Sequence, residues 1–268
     1  MLDWMSGRKR SSEEQDRPKY SAPALEKGLD ILELLSAESA PMSLAQIGQR
    51  LERTSGEIFR MLAALERRGY LVRGPRPEQY VLTHKLYELA HRHPPTKRLL
   101  ACALPEMEVL ARAVSQSCHL AVRHGEQALI VAQVDCPGFT GFAVRVGAQA
   151  PLTESCSGRV LLAFQTAEVR KSWLDGCALP AAARGALEGP LELLRGRGWN
   201  RQESNLHPGI VDFGAPVLDH DGHALASLTV PRLGSVQSAT DENRLVAQLR
   251  AAAAKIAECL GAGAPPQV

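Results

Sequence analysis

Ser43-Leu-Ala-Gln-Ile-Gly-Gln-Arg-Leu-Glu-Arg-Thr-Ser-Gly-Glu57 carries the punctuation that decides how this chain begins to fold. Ser43 is followed three positions later by Gln46, and Thr54 by Glu57. At that spacing the hydroxyl can accept a free amide of the first helical turn while the longer side chain reaches back to the cap, so each pair predicts a helix start. Leu44, Ile47 and Leu51 give the first helix its apolar face. Ile58, Met61, Leu62 and Leu65 give the second one, and Gly69 ends it.

Working outward, Leu25, Leu29, Leu32 and Leu35 recur at helical spacing and predict an earlier helix over 24–36. Downstream, Tyr70-Leu-Val72 and Tyr80-Val-Leu82 flank a Gly/Pro-rich connection, Arg73-Gly-Pro-Arg-Pro-Glu-Gln79, and read as a hairpin. Three short helices and a hairpin are the order of a winged helix-turn-helix, placed at 22–83. Residues 1–21 are polar and charged and are expected to be a disordered leader. Residues 84–115 are read as connector helices, interrupted at Pro94-Pro95 and kinked at Pro105.

The second half changes character. Cys118-His-Leu-Ala-Val122 and Ala128-Leu-Ile-Val-Ala-Gln-Val134 predict two strands, with another near Gly141 to Val146. Helix is expected over Ser157 to Phe164, over Ala167 to Leu194, and from a Thr240 cap to about Leu260. Val211 to Leu218 and Ala224 to Val230 flank the turn Asp219-His-Asp-Gly-His223. The fold class is therefore α+β: an N-terminal winged helix-turn-helix, connector helices, and an α/β domain at 116–262 with a short tail at 263–268.

Composition excludes several classes. A net charge of +2 over 268 residues is too even to mark a polyanion partner by itself. No stretch reaches the roughly 20 apolar residues of a membrane helix, and the N-terminus lacks the apolar core of a signal peptide, so a cytoplasmic location and no membrane partner are expected. Cys102, Cys118, Cys136, Cys156, Cys177 and Cys259 are scattered without a Cys-x-x-Cys pair. Neither disulfides nor a metal site is expected from that spacing, and no cofactor motif is present.

Charge is uneven locally. Between Arg50 and Arg76 seven arginines face three glutamates, at 52, 57 and 66. Such an excess can neutralise phosphates, and the third helix is the element a major groove would admit. Ser43, Arg53, Ser55 and Arg60 are the candidate DNA contacts of the helices; Arg73 and Arg76 are those of the wing. Glu57 reads as a cap rather than a base reader, and Arg67 and Arg68 suit the helix C-terminus equally well.

The ordered set of these blocks resembles the IclR family of bacterial transcriptional regulators. Ala24-Leu-Glu-Lys-Gly-Leu-Asp-Ile-Leu-Glu-Leu-Leu35, Ser43-Leu-Ala-Gln-Ile47, Phe59-Arg-Met-Leu62 and Arg68-Gly-Tyr-Leu71 are similar to its DNA-binding half. Pro151-Leu-Thr-Glu-Ser-Cys-Ser-Gly-Arg-Val-Leu-Leu-Ala163, Ala215-Pro-Val-Leu and Ala226-Ser-Leu-Thr-Val-Pro231 are similar to its sensor half. The resemblance implies a GAF-like effector domain, no catalysis, and a homodimer or homotetramer on double-stranded operator DNA. It implies a small organic acid effector, with Phe139, Phe142, Cys156, Ser157, Asp212 and Thr229 lining the pocket. Members that bind small oxoacids tend to carry serines at two alternating places of the last strand, where this chain has Thr229 and Pro231. That difference, and the carboxylate of Asp212, count against glyoxylate- or pyruvate-like ligands, while the Val211-Asp-Phe-Gly214 run and the Thr229-Val-Pro231 ending resemble members that control aromatic or sugar-acid catabolism.

Bland readings stand beside these. Cys156 reads equally as a packed thiol, Ser157 as a helix cap, and Asp212 as the partner of an internal arginine. Two other functions compete: a thiol or hydrolytic enzyme using Cys118, Cys156, His119 or His207, and a DNA-binding protein whose second domain only oligomerises. No nucleophile elbow or phosphate loop supports the first, and a strand puts Cys118 and His119 on opposite faces.

Overall fold

The computed structural model describes residues 22–92, 94–138, 141–177, 179–205, 207–233 and 239–261. The chain divides into two units, at His93 and Pro94.

In the N-terminal unit α1 (Pro23–Ala37) leads to β1 (Met42–Ser43), α2 (Leu44–Arg50) and α3 (Ser55–Arg67). The hairpin β2 (Leu71–Arg73) and β3 (Gln79–Leu82) follows, then α4 (Lys85–Arg92). Ser43 caps α2: its oxygen accepts from the Gln46 amide at 3.3 Å, and the Gln46 side chain accepts from the Ser43 amide at 2.8 Å. At the other box the Glu57 carboxylate accepts from both the amide and the hydroxyl of Thr54, at 3.1 and 2.9 Å. The turn between α2 and α3 is tight because Glu52 takes a left-handed conformation, φ 53°, and the Arg53 amide donates to the Gly48 carbonyl at 2.9 Å. A Cβ at Gly48 would come within 2.9 Å of the Arg53 carbonyl oxygen, so this crossing requires glycine.

Helix α3 ends in a Schellman motif. Gly69 (φ 77°) donates to the Glu66 carbonyl, and Tyr70 donates to that of Leu65. Ile31, Leu35, Met42, Ile47, Ile58, Leu62, Leu71 and Tyr80 form the core. The stripe expected of α1 is only half right: Leu35 is buried, but Leu25 and Leu29 are exposed, and Ile31 does the packing. Burial on this helix starts at Ile31, so its first two turns lie beyond the reach of the small core. The wing also has a third strand, in order β1-β3-β2, because Met42 pairs with Tyr80. A two-residue strand leaves no alternation to read.

The C-terminal unit runs α5 (Pro94–Val114), β4 (Cys118–His124), β5 (Gln127–Val134), β6 (Gln149–Pro151), α6 (Cys156–Ala163), α7 (Ala167–Gly176), α8 (Ala181–Arg197), β7 (Asn200–Glu203), β8 (Ile210–Leu218), β9 (Ala224–Leu233) and α9 (Ala239–Cys259). Its antiparallel sheet has the order β6-β5-β4-β9-β8-β7. Helices α5 and α9 cover one face through Met107, Leu110, Leu249 and Ile256, against Cys118, Leu120, Phe213, Leu228 and Val230. Helix α6, backed by α7 and α8, covers part of the other through Val160, Leu161 and Leu162.

Four expectations change here. Residues 94–114 are a core helix of this unit rather than part of a connector, since Leu99, Ala103 and Met107 are buried in it. Residues 141–146 form no strand; the edge strand is β6, reached through a turn at Gly147 (φ 88°). The helical run after Ala167 is two helices, broken at Pro180. Cys102 and Cys259 form a disulfide across α5 and α9, Cα–Cα 5.7 Å. The linear spacing of the cysteines hides that pair, 157 residues apart, until the first and last helices of the unit lie side by side.

Candidate nucleic-acid interface and effector pocket

The exposed side of the helix-turn-helix holds the predicted contacts. Arg53, Ser55 and Arg60 are exposed at the turn before α3 and along its first two turns, clear of the buried Ile58 and Leu62. Arg76 is exposed in the wing connection, and Ser43 is half-buried as the cap of α2. Arg73 differs. Its guanidinium grips both Glu66 oxygens at 2.8 and 3.0 Å, donates to the Pro77 carbonyl, and lies 4.4 Å from the Tyr80 ring centre. This arginine is occupied in fastening the wing to α3.

In the C-terminal unit a cavity of about 140 Å³ opens between the sheet and the start of α6. Strand alternation builds its floor: His119, Thr229 and Asp212 project to the α6 side while Cys118, Leu228 and Phe213 project into the α5–α9 core. Gly214 stays bare because a Cβ there would approach the Cys156 sulfur at 3.0 Å and Val160 at 3.1 Å. The walls are Ala128, Ile130, Phe142, Val144, Ala148 and Ala150, with the Phe142 ring 5.0 Å from that of His207.

A hydroxyl chain crosses the floor. Ser157 Oγ lies 2.9 Å from Thr229 Oγ1, which lies 3.3 Å from Ser227 Oγ, and His119 Nε2 is 3.3 Å from Ser157 Oγ. His119 is buried, which pushes its pKa down to about 4 and keeps the ring neutral. Burial raises Asp212 to about 6. Burial, and then the charge of Asp212, raise the Cys156 thiol well above its usual range, so it stays protonated while accepting from Asn200 at 3.4 Å. A protonated, buried thiol is a poor nucleophile. The cap of α6 is Ser155, whose oxygen accepts from the Gly158 amide at 3.1 Å; of the two readings of Ser157, pocket residue and helix cap, the cap fails and the side chain turns inward. Ser155 can cap because it stands in extended backbone just outside the helix, whereas Ser157 is already in its first turn.

Family models match both units. The description "IclR helix-turn-helix domain" fits residues 24–75, and "Bacterial transcriptional regulator IclR C-terminal" fits residues 96–258. The chain belongs to the IclR family of bacterial transcriptional regulators. This regulator is 29% identical over 250 residues to the glycerol operon regulatory protein of Streptomyces griseus, covering 90% of this chain and 97% of the relative. It is 26% identical over 254 residues to the regulator KdgR of Escherichia coli, covering 92% and 95%. Among solved structures it is similar to an IclR homologue of Microbacterium hydrocarbonoxydans complexed with 4-hydroxybenzoate, with TM-score 0.74, 25% identity, and 90% and 100% coverage.

The chain is thus a DNA-binding transcriptional regulator rather than an enzyme. Phe142, Cys156, Ser157, Asp212 and Thr229 come together on its cavity, whereas Phe139 lies outside the described residues. Reading the sequence missed His119, Gln149, Ser155, Ser204 and His207 as lining residues. His119 had a visible signal, since a polar residue alternating with Cys118 and Leu120 faces the other side of the strand from the core. Ser204 and His207 sit in a loop with no period to read. No helix among the described residues is long and apolar enough to cross a membrane.

Proposed function

We propose that this regulator acts in the cytoplasm as a homodimer or homotetramer on operator DNA. In this reading α3 enters a major groove, with Arg53, Ser55 and Arg60 toward the DNA and Arg76 reaching the backbone beside it. A small organic acid, aromatic or sugar-derived, enters the C-terminal cavity, and its preference for one arrangement of the protein changes operator affinity. The operon controlled is one that degrades that acid. The names of the relatives support a catabolic operon, and the 4-hydroxybenzoate complex of the similar structure supports an organic acid.

One observation carries the reading: an arginine-rich helix-turn-helix face and a separate, largely apolar cavity with a few polar groups occur in one chain. A mobility-shift titration on the gene's own upstream region tests it. Retardation at low salt that changes on adding a candidate acid is the expected result. Absence of retardation at low salt, with and without the acids, would sink it.

A further inference from the structure

Asp212 and His119 stand at opposite ends of a diagonal on the cavity floor. His119 opposes Thr229, Thr229 opposes Gly214, and Asp212 lies two residues from Gly214 along β8. At about 4.8 Å between strands and 3.4 Å per residue, their Cα atoms are roughly 12 Å apart.

The two ends ask for opposite things. Among the described residues nothing donates to the Asp212 carboxylate, and neither lysine nor arginine lines the cavity. A carboxylate removed from water in this way needs a proton donor, and a second carboxylate beside it would be repelled. His119, 5% exposed, spends Nε2 on Ser157, while its Nδ1 has no partner among the described residues. If the Ser157 hydroxyl donates to Nε2, and Thr229 and Ser227 donate in turn along the chain, the remaining Nδ1–H is a buried donor in want of an acceptor. On the Nε2 side of the ring, at Ser157, the first amides of α6, those of Cys156 and Ser157, have no intrahelical acceptor and favour an anion. Between the two ends the walls are apolar, at Ile130, Phe142 and Val144. The volume, about 140 Å³, is close to that of a cavity known to hold benzene, about 150 Å³.

We propose that the cavity selects a phenolic acid: a single aromatic ring held between Ile130 and Phe142, its hydroxyl donating to Asp212, and its carboxylate received by His119 and the first turn of α6. Asp212 is the residue that sets specificity, because an acid without the hydroxyl leaves its half-buried carboxylate without a donor. The inference rests on the sensing role given above and narrows it. A flat aromatic ring suits the Ile130, Phe142 and Val144 walls better than a sugar-derived acid, whose further hydroxyls would have to reach Gln149, Ser204 or His207 elsewhere on the lining.

Calorimetric titration of the full chain at pH 7.5 with 4-hydroxybenzoate, benzoate and gluconate tests it, beside a mobility-shift assay on the same preparation. 4-Hydroxybenzoate is expected to bind at least ten times more tightly than benzoate, and gluconate more weakly than either. In Asp212→Leu the first two acids should bind within about twofold of each other. If that variant does not fold, the wild-type ratio reads the same interaction. Benzoate binding as tightly as 4-hydroxybenzoate, gluconate binding best, or a ratio unchanged in Asp212→Leu overturns the proposal. Failure of all three acids overturns it too; a mobility shift that then responds to another small molecule leaves the sensing role intact, and one that responds to none removes both.

Discussion

Lys27 Nζ lies 2.8 Å from Glu57 Oε1, so the carboxylate that closes the first turn of α3 also ties that helix to α1. Glu57 Oε2 meanwhile accepts from the Thr54 amide and hydroxyl. Three donors therefore converge on one carboxyl, and the pair with Lys27, followed by Thr54, lowers its pKa from 4.5 to about 2. The sign follows from the depression. The charged form is bound more tightly in the folded state, so the stabilisation is present above pH 4.5 and is lost as pH falls through about 2. Glu57→Ala should lower the thermal midpoint of the N-terminal unit, read by circular dichroism at pH 7. The deficit relative to wild type should shrink below pH 4. An unchanged midpoint at pH 7 would show the cap to be idle.

The wing arginines and the helix arginines should respond differently to salt. Each phosphate contact adds about 0.9 to the slope of log affinity against log salt. Arg60→Ala and Arg53→Ala are expected to reduce that slope by roughly this amount each, with thermal midpoints close to wild type. Arg73→Ala should behave otherwise, because its guanidinium is already held by Glu66 and Tyr80. It should weaken the wing and lower affinity with little change of slope. A full unit of slope lost in Arg73→Ala would assign that side chain to phosphate.

The contrast between these arginines shows where the sequence is legible. Helix starts were readable because capping is local: Ser43 and Gln46, or Thr54 and Glu57, lie within one turn. The sensor strands were readable where alternation is long, as in β8, and unreadable in β1 and β6, with two and three residues. Arg73 and Arg76 look alike in sequence, and only the seven-residue step back to Glu66 separates them. On the cavity, Ser157 is legible by likeness to a known block, and only its alternative as a cap fails, because the cap sits two residues earlier, at Ser155.

Gly158 and Gly185 make a paired test of packing around the cavity. A Cβ at Gly158 would overlap the Cα and carbonyl oxygen of Leu152, backbone atoms that cannot rotate aside. The close approach of α6 to that turn is what brings Ser157 onto Thr229. Gly158→Ala should therefore cost at least about 2 kcal/mol, as overpacking of a rigid site does, and should abolish effector binding. Gly185, in the interior of α8, has no atom within 4 Å of its Cβ position. Gly185→Ala is expected to stabilise by about 0.5–1 kcal/mol. Denaturant melts followed by Trp173 and Trp199 would read both.

The Cys102–Cys259 bridge closes a loop of 157 residues, the whole span from α5 to α9. Cross-linking so long a segment restricts the unfolded chain and is worth about 2–5 kcal/mol. Thiol titration of the oxidised, denatured chain should find the four free cysteines, and reduction should raise the number by two. Cys102→Ser and reduced wild type should lose similar stability in the C-terminal unit, and reductant should have no further effect on the variant. Stability of wild type that ignores reductant would mean that the bond contributes nothing.

Asp212 gives a pH signature independent of any ligand. Burial raises its pKa from 3.8 to about 6, so the folded protein holds a proton that the unfolded chain has released. Between those values the folded state binds more protons, and stability falls as pH rises. The loss is complete above pH 6 and amounts to about 1–3 kcal/mol, at 1.36 kcal/mol per unit of pKa. Asp212→Asn removes the ionisation while keeping the shape. It should be more stable than wild type at pH 7.5 by about that amount and equal to it near pH 3.5. Saturating 4-hydroxybenzoate should add more stability to wild type than to the variant at pH 7.5, because only wild type gains a partner for a buried charge. A variant no more stable than wild type at pH 7.5 would mean that the carboxylate already has its donor, and the case for a hydroxyl at that end of the cavity would go with it.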